Sequence, residues 1–236
     1  MNRFARTELL IGKNGLEKLN KSNVAIFGIG GVGSYVAEAL ARTGVGKIII
    51  IDKDDIDITN INRQIHAMSS TVGKSKVEVM KSRMLDINPN IKVDAIKENF
   101  PNENINFFSN DIDYIVDAID SISAKIELIL KANELNIPII SSMGMGNKID
   151  PTQIEVSDIY KTSICPLAKV VRRELRKKNI KKLKVVYSKE EPINIKLEDG
   201  KSKTIGSISF VPSVAGLIMA SEIVKDILNK GDINDI

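Results

Sequence analysis

The chain has 236 residues, 43% apolar and 27% charged, with no Trp, which allows one sizeable α/β domain or two small ones with a core of Ile, Val and Leu. Its one cysteine, Cys165, excludes an intrachain disulfide and a cysteine-based zinc site. The apolar run Val214–Ala220 is too short to span a bilayer, Met1–Ile11 with Arg3, Arg6 and Glu8 is not expected to be a signal peptide, and a net charge of +4 does not by itself call for a nucleic-acid partner, so a cytoplasmic location is expected.

In chain order, two short helices are expected over Arg3–Ile11 and Leu16–Asn20. Val24–Ile29 is an apolar run bounded by glycine and reads as a buried strand. Val32–Thr43 has helical periodicity, and Lys47–Asp52, with four consecutive isoleucines, reads as a parallel strand covered on both faces. Lys74–Ile87 is a helix stopped by Asn88-Pro89, followed by strands at Ile91–Ile96 and Tyr114–Ala118. A helix at Ser123–Leu135 and a strand at Ile137–Ser142 continue the alternation. The succession predicts an α/β fold, a Rossmann-like doubly wound and mainly parallel sheet. Beyond Asp150 the pattern loosens into a basic helix near Pro166–Lys178, a polar loop near Ser188–Ser202 and a last helix near Val214–Asn229. Residues 1–236 are therefore expected to form one domain, with 1–21 as N-terminal helices and 150–236 as a substrate-facing part packed back on the sheet.

The first strand runs into Gly28-Ile29-Gly30-Gly31-Val32-Gly33 and then directly into a helix. Gly28, Gly30 and Gly33 match G-x-G-x-x-G: a tight turn, room for backbone to approach a phosphate, and close helix–strand packing, with the helix N-terminus facing the anion. Asp52 lies 19 residues after Gly33, where a carboxylate accepts hydrogen bonds from ribose hydroxyls. To this point NAD and ATP fit equally. The next segment favours ATP, because attack at an α-phosphorus builds charge on departing pyrophosphate, and Asn60, Asn62, Arg63, Gln64 and Lys76 are cationic or amide groups suited to meet it. Asp54, Asp55 and Asp57 read as solvated or capping carboxylates rather than metal ligands, and His66 as structural or proton-transferring. Met143–Gly146, after a strand's carboxyl end, reads as a turn able to line a substrate cleft.

Gly28–Gly33, Asp52, Asn60–Gln64 and Lys76 resemble the adenylation site of the E1-like family, which includes ubiquitin-activating enzymes and the activators of thiamin and molybdopterin sulfur-carrier proteins. The resemblance covers roughly Arg3–Ser141. It implies an E1-like adenylation domain that takes ATP and Mg²⁺. Nucleotide contacts would come from Gly28, Gly30, Gly31, Gly33, Asp52, Asp54, Asn60, Asn62, Arg63, Gln64 and Lys76, with Arg63, Lys76 and Asp120 catalytic and Asp120 holding Mg²⁺. Arg3-Phe4-Ala5-Arg6 is similar to the family's opening segment, which implies that Arg6 reaches the nucleotide of a partner subunit in a homodimer. The lone Cys165, just before Pro166 near an expected helix start, is a passive small residue or a thioester nucleophile.

Asn62–Ala67, Ile115–Ser121 with Lys125, and Asp150–Ile159 with Lys161-Thr162 are similar to a narrower branch, the tRNA threonylcarbamoyladenosine dehydratases. That branch implies adenylation of the threonyl carboxylate of N6-threonylcarbamoyladenosine at position 37, beside the tRNA anticodon, followed by ring closure with loss of AMP. Arg172, Arg173, Arg176, Lys177, Lys178, Lys181, Lys182 and Lys184 would then contact tRNA phosphates, where the alternative is a solvated helix face. Three rivals stay open: an adenylyltransferase acting on the C-terminal glycine of a small sulfur-carrier protein, an NAD-dependent oxidoreductase, and a non-catalytic nucleotide- or RNA-binding scaffold. A sulfur-transfer partner is undecided.

Overall fold

A computed structural model describes residues 3–103, 106–108, 111–194 and 205–229. Its elements are α1 (Ala5–Lys21), β1 (Asn23–Phe27), α2 (Gly33–Thr43), β2 (Lys47–Ile51), α3 (Lys76–Ile87), β3 (Lys92–Ile96), β4 (Tyr114–Asp117), α4 (Ile122–Glu134), β5 (Ile139–Ser142), β6 (Ile154–Asp158), α5 (Pro166–Lys177), β7 (Lys184–Ser188) and α6 (Phe210–Asn229). The strands form one sheet in the order β3-β2-β1-β4-β5-β7-β6, parallel throughout except for β6, which runs antiparallel to β7.

The isoleucine run explains why the sheet is covered twice. Successive side chains on a strand point to opposite faces. Ile48 and Ile50 enter the cluster beneath α1, α2, α3 and α6, while Ile49 and Ile51 enter a second cluster with Ala124, Leu128 and Ala132 of α4. Further along that second face, α5 packs Ala168, Val171 and Leu175 with Val185 and Tyr187 of β7. This is the doubly wound arrangement that the alternation of elements predicts.

Local chemistry sets the element ends. α2 stops at Gly44 in the left-handed conformation (φ 98°), which glycine adopts without a Cβ clash. Gly12 (φ 70°, ψ 170°) breaks α1 into the two expected short helices. α6 starts a turn earlier than expected because Pro212 falls in its first turn, where a missing N–H costs no helical bond.

Two strands were not legible. Ile154–Asp158 and Lys184–Ser188 are β6 and β7, and β7 inserts between β5 and β6 although it follows both in the chain. Each is five residues long, and the register that pairs them appears only once the intervening α5 has folded back. In the polar loop expected near Ser188–Ser202, residues 195–202 lie outside the described residues. Among the described residues no helix is long and apolar enough to cross a membrane.

The strand order reverses between β1 and β4, so the loops leaving their carboxyl ends diverge and open a crevice, the place where open α/β sheets hold ligands. α6 closes one side of it by lying directly on the start of α2: a Cβ on Gly216 would stand 2.5 Å from the Val32 carbonyl oxygen and 2.9 Å from Tyr35 Cβ. Gly216→Ala is therefore expected to force the two helices apart and lower stability by about 1–3 kcal/mol, the usual cost of overpacking, measured as a shift of the urea midpoint. An unshifted midpoint would mean that α6 slides freely over α2.

Candidate active site

The crevice is a cavity of about 650 Å³, walled by the loops after β1, β2, β3, β4 and β5 and by parts of α5 and α6. Of the residues expected at a nucleotide site, Gly28, Gly30, Gly31, Asp52, Asp54, Asn60, Arg63, Gln64, Lys76 and Asp120 all line it.

The three glycines of the G-x-G-x-x-G pattern differ in what requires them. A Cβ on Gly28 (φ 90°) would lie 2.6 Å from the Ala118 carbonyl oxygen, and one on Gly33 would lie 1.9 Å from the Gly28 carbonyl oxygen. Both are dictated by the protein's own backbone. A Cβ on Gly30 would meet nothing within 4 Å and would point into open space. Folding does not need a glycine there, but a ligand resting on the loop does. α2 begins just beyond, with no side chain capping its N-terminus; the N–H groups of Ser34, Tyr35 and Val36 already donate to the Gly30 and Val32 carbonyls, so an anion would meet the amides ahead of them.

On the β2 side, Asp52 accepts the backbone N–H of Ile29 at 2.7 Å on one oxygen and that of Asp54 at 2.9 Å on the other. An ionised carboxylate has about four acceptor positions, so capacity for ribose hydroxyls remains. Lys76, buried at the start of α3, sits 2.9 Å from Asp54 and 3.8 Å from Asp52. A short 3₁₀ turn, Ile58–Asn60, carries the next groups. Asp57 caps it by accepting the Thr59 N–H and hydroxyl, which holds its carboxyl below the usual range, and Asn60 returns the bond by accepting the Asp57 N–H. Asp57 is thus a cap, and the exposed Asp55 pairs with Lys97 at 2.6 Å.

Arg63 follows the turn. Its Nη1 donates to the Thr59 carbonyl and to Asn62 Oδ1, each at 2.9 Å, and among the described residues no carboxylate pairs with it. Its charge is oriented but not neutralised. Gln64 is 6% exposed, and its Oε1 has no hydrogen-bond partner among the described residues. A buried acceptor left open in a cavity wall suits a donor brought by a ligand.

Other expected residues stand elsewhere. Asn62 does not line the cavity; it orients Arg63 and donates to the Ser207 carbonyl at 2.9 Å, tying the loop to the approach of α6. Gly33 serves helix–strand packing alone. Arg6 is exposed on α1, away from the cavity of its own chain. Lys125, part of the stretch similar to the dehydratase branch, does not line the cavity: it is wholly buried against Asp117 at 2.8 Å.

The basic cluster divides. Arg172 donates from one Nη to the Thr162 carbonyl at 2.8 Å and its hydroxyl at 2.6 Å, and Lys184 is held 2.8 Å from Asp226 and 3.2 Å from Glu222. These two charges are used within the fold and are withdrawn from an outward patch. Arg173, Arg176, Lys177, Lys178, Lys181 and Lys182 are exposed, with Arg176 stacked 5.4 Å from the Tyr160 ring centre and Glu174 paired with Arg173 and Lys177.

Sequence reasoning missed Glu98, Asn99 and Phe100 after β3 and Leu167, Ile205, Ser207 and Pro212 from the C-terminal third, all of which line the cavity. The first three sit at the carboxyl end of a recognisable strand and were findable by that rule; the others arrive only through α5 and α6. Met143–Gly146 also line it. Cys165 is buried at the N-cap of α5 and is not part of the wall. His66 is fully buried with both ring nitrogens unpartnered; burial, then Lys76 and Arg83, push its pKa down to about 4. It is neutral at physiological pH and structural in position.

Among the described residues no cluster of three His, Cys, Asp or Glu could hold a metal by protein ligands alone. Asp120, exposed at the cavity edge, is a single carboxylate, which fits a cation that arrives on phosphate oxygens rather than a dedicated protein cage.

The pattern of the ThiF family matches residues 4–235. The chain is 49% identical to a Bacillus subtilis (strain 168) protein named tRNA threonylcarbamoyladenosine dehydratase, over 100% of this chain and 98% of that one. It superposes with a TM-score of 0.84 and 36% identity on the crystal structure of Escherichia coli tRNA N6-threonylcarbamoyladenosine dehydratase, TcdA, in complex with ATP, covering 97% of this chain and 94% of that one. Escherichia coli sulfur carrier protein ThiS adenylyltransferase is 31% identical over 61% of this chain and 58% of its own length.

Two outcomes are expected. Gly30→Ala should fold with an unchanged melting temperature yet lose at least tenfold in ATP affinity by titration calorimetry; undiminished affinity would place phosphates away from this loop. His66, depressed from 6.5 to about 4, should withdraw stability as pH falls from about 6.5 to 4, because the unfolded chain binds the proton first; the loss is about 3 kcal/mol. His66→Leu should flatten that part of a pH series of urea midpoints, and an unaltered slope would assign it to other groups.

Proposed function

This chain belongs to the ThiF family, and on that premise we propose that the β1/β4 crevice binds ATP and uses it to dehydrate N6-threonylcarbamoyladenosine in tRNA. The carrying observation is the open space over Gly30 in a cavity that is also lined by Arg63, whose guanidinium has no carboxylate partner among the described residues. The 49% identical relative matched over the whole chain bears the dehydratase name, whereas the sulfur-carrier adenylyltransferase matches at 31% over 61% of the chain, which favours the tRNA reaction over carrier-protein activation.

The reaction has two steps. A threonyl carboxylate oxygen attacks the α-phosphorus, forming an acyl–adenylate and releasing pyrophosphate. A nucleophile within the modified base then attacks the acyl carbon, a ring closes, and AMP leaves; the nucleoside has lost one water. No enzyme thiol takes part, in keeping with a buried Cys165 outside the wall.

This chain's residues divide the work by position. Gly30 and Gly31 let the backbone approach phosphate. Asp52 accepts ribose hydroxyls while its backbone donors hold it in place. Arg63 and Asn60 stabilise the α-phosphate and the departing pyrophosphate; the two oxygen acceptors on Arg63 Nη1 pre-orient the guanidinium so that little reorganisation accompanies charge build-up. Lys76 neutralises phosphate charge, with Asp54 fixing its ammonium. Asp120 would hold Mg²⁺ that accompanies the nucleotide, and the ion would supply charge neutralisation on the phosphates.

The exposed cations of α5 and the loop after it support a contact with tRNA backbone. α5 begins with Leu167 in the cavity wall and ends at Lys177. A helix of 12 residues rises about 18 Å. RNA phosphates held at its far end therefore lie some distance from the reacting nucleotide, in keeping with an anticodon stem flanking a modified position. Leu9 and Leu10, 86% and 87% exposed on the same helix as Arg6, support a homodimer in which Arg6 acts on the partner subunit's nucleotide. A cytoplasmic location, shared with the tRNA substrate, is part of the proposal.

Incubating the protein with ATP and unfractionated tRNA, then weighing the nucleosides, should show threonylcarbamoyladenosine lighter by one water. An unchanged mass, with pyrophosphate exchange driven by a carrier protein instead, would reject the reaction. Arg63→Ala should lower turnover by roughly 100- to 1,000-fold, as loss of an oxyanion donor does, and a fully active variant would remove Arg63 from the chemistry.

A further inference from the structure

A charge pair lies sealed beneath the cavity floor, outside the roles assigned above. Asp117 ends β4 and Lys125 sits in the opening turns of α4; neither side chain is exposed, and Nζ stands 2.8 Å from Asp117 Oδ2. The same ammonium donates to the Ser142 carbonyl at 3.0 Å and reaches Ser141 Oγ at 3.4 Å, both on β5. The Ser141 hydroxyl donates to Asp117 Oδ2, and Asp117 Oδ1 accepts the Ile119 N–H at 3.2 Å. Three acceptors thus surround an ammonium that has three protons.

Stability does not account for such a pair. Removing two charges from water is costly, and replacing a buried ion pair with apolar groups of similar volume often leaves a protein equally or more stable. The pair's position accounts for it better. β4 and β5 pair from Ile115↔Ile139 as far as Asp117↔Ser141, after which the two segments part. One becomes Ala118–Asp120, the other Ser142 and Met143, and both line the cavity. The Lys125 network clamps them at the point of parting and reaches the Ile119 amide next to Asp120.

We propose that Lys125 and Asp117 are positioning residues that hold Asp120 at a set separation from Ser142 and Met143, the continuation of β5 that lines the same cavity. The inference depends on the proposed reaction and on Asp120 facing a phosphate-bound cation. Its consequence is selective: capture of the nucleotide by the glycine loop and Asp52 is independent of the clamp, whereas cation-assisted binding and turnover require it.

Two variants of the full chain test this. Asp117→Asn with Lys125→Met removes both charges at nearly constant volume and strands neither. Ser141→Ala removes one donor to the same carboxylate and leaves the ion pair. ATP affinity is measured by calorimetry in EDTA and in Mg²⁺, beside turnover of threonylcarbamoyladenosine in tRNA. For the folded double variant, affinity in EDTA should stay within twofold of wild type. The gain in affinity on adding Mg²⁺ should shrink at least fivefold, and turnover at saturating ATP should fall at least tenfold with KM for ATP changed less than twofold. Ser141→Ala should show the same selective pattern, about threefold in turnover, and it decides alone where the double variant does not fold. A folded variant with wild-type Mg²⁺ gain and turnover overturns the proposal, as does one that loses affinity equally in EDTA and Mg²⁺. A wild type that gains nothing from Mg²⁺ overturns the Asp120 assignment itself, and a wild type that leaves the nucleoside unchanged overturns the reaction; neither failure depends on the variants.

Discussion

Three stretches of backbone meet at the carboxyl end of β1 more closely than any side chain would permit. Gly28 lies against the Ala118 carbonyl and Gly33 against the Gly28 carbonyl. That contact brings the start of α2 over the β1/β4 boundary, where the strand order reverses, and so sets the positive end of the helix beside the crevice. Gly216 extends the same logic outward, because α6 seats on the first turn of α2 through another backbone approach. A Cβ at any of these places would move α2 and with it the glycine loop that lines the cavity.

Around the cavity, three charged groups are fixed in place. Asp52 is held by two backbone amides, Lys76 by Asp54, and Arg63 by a carbonyl and an amide oxygen. Fixed groups of this kind face developing phosphate charge without reorganising, which is where most electrostatic catalysis originates. The acceptors on Arg63 leave its charge intact, whereas Arg172 and Lys184 are drawn into the fold by their own partners. Identical residue types in the sequence thus end with opposite availabilities.

α5 joins the two halves of the activity. Its first turn contributes Leu167 to the cavity wall, and its exposed face and far end carry cations, so the helix spans from the reacting centre to a surface suited to RNA phosphates. β7 supports it from below, and Leu175 and Val171 bury its apolar stripe with Val185 and Tyr187.

The amino-acid sequence by itself determined the alternation of strands and helices, the glycine loop, Asp52 and the Asn60–Gln64 segment, because each is a local pattern: a period of two or 3.6, a turn that only glycine allows, an acid one strand away. It did not reveal β6, β7 or the Asp117–Lys125 clamp, nor that Asn62 and Arg172 face protein rather than ligand. Those outcomes depend on which distant segments meet. Ser207 claims Asn62 from 145 residues away, and Lys125 reaches across two parallel strands to Ser142. A side chain's type states what it can bond to, but only the packed sheet decides which partner stands within 3 Å of it, and that choice separates a buried strut from a group left open to substrate.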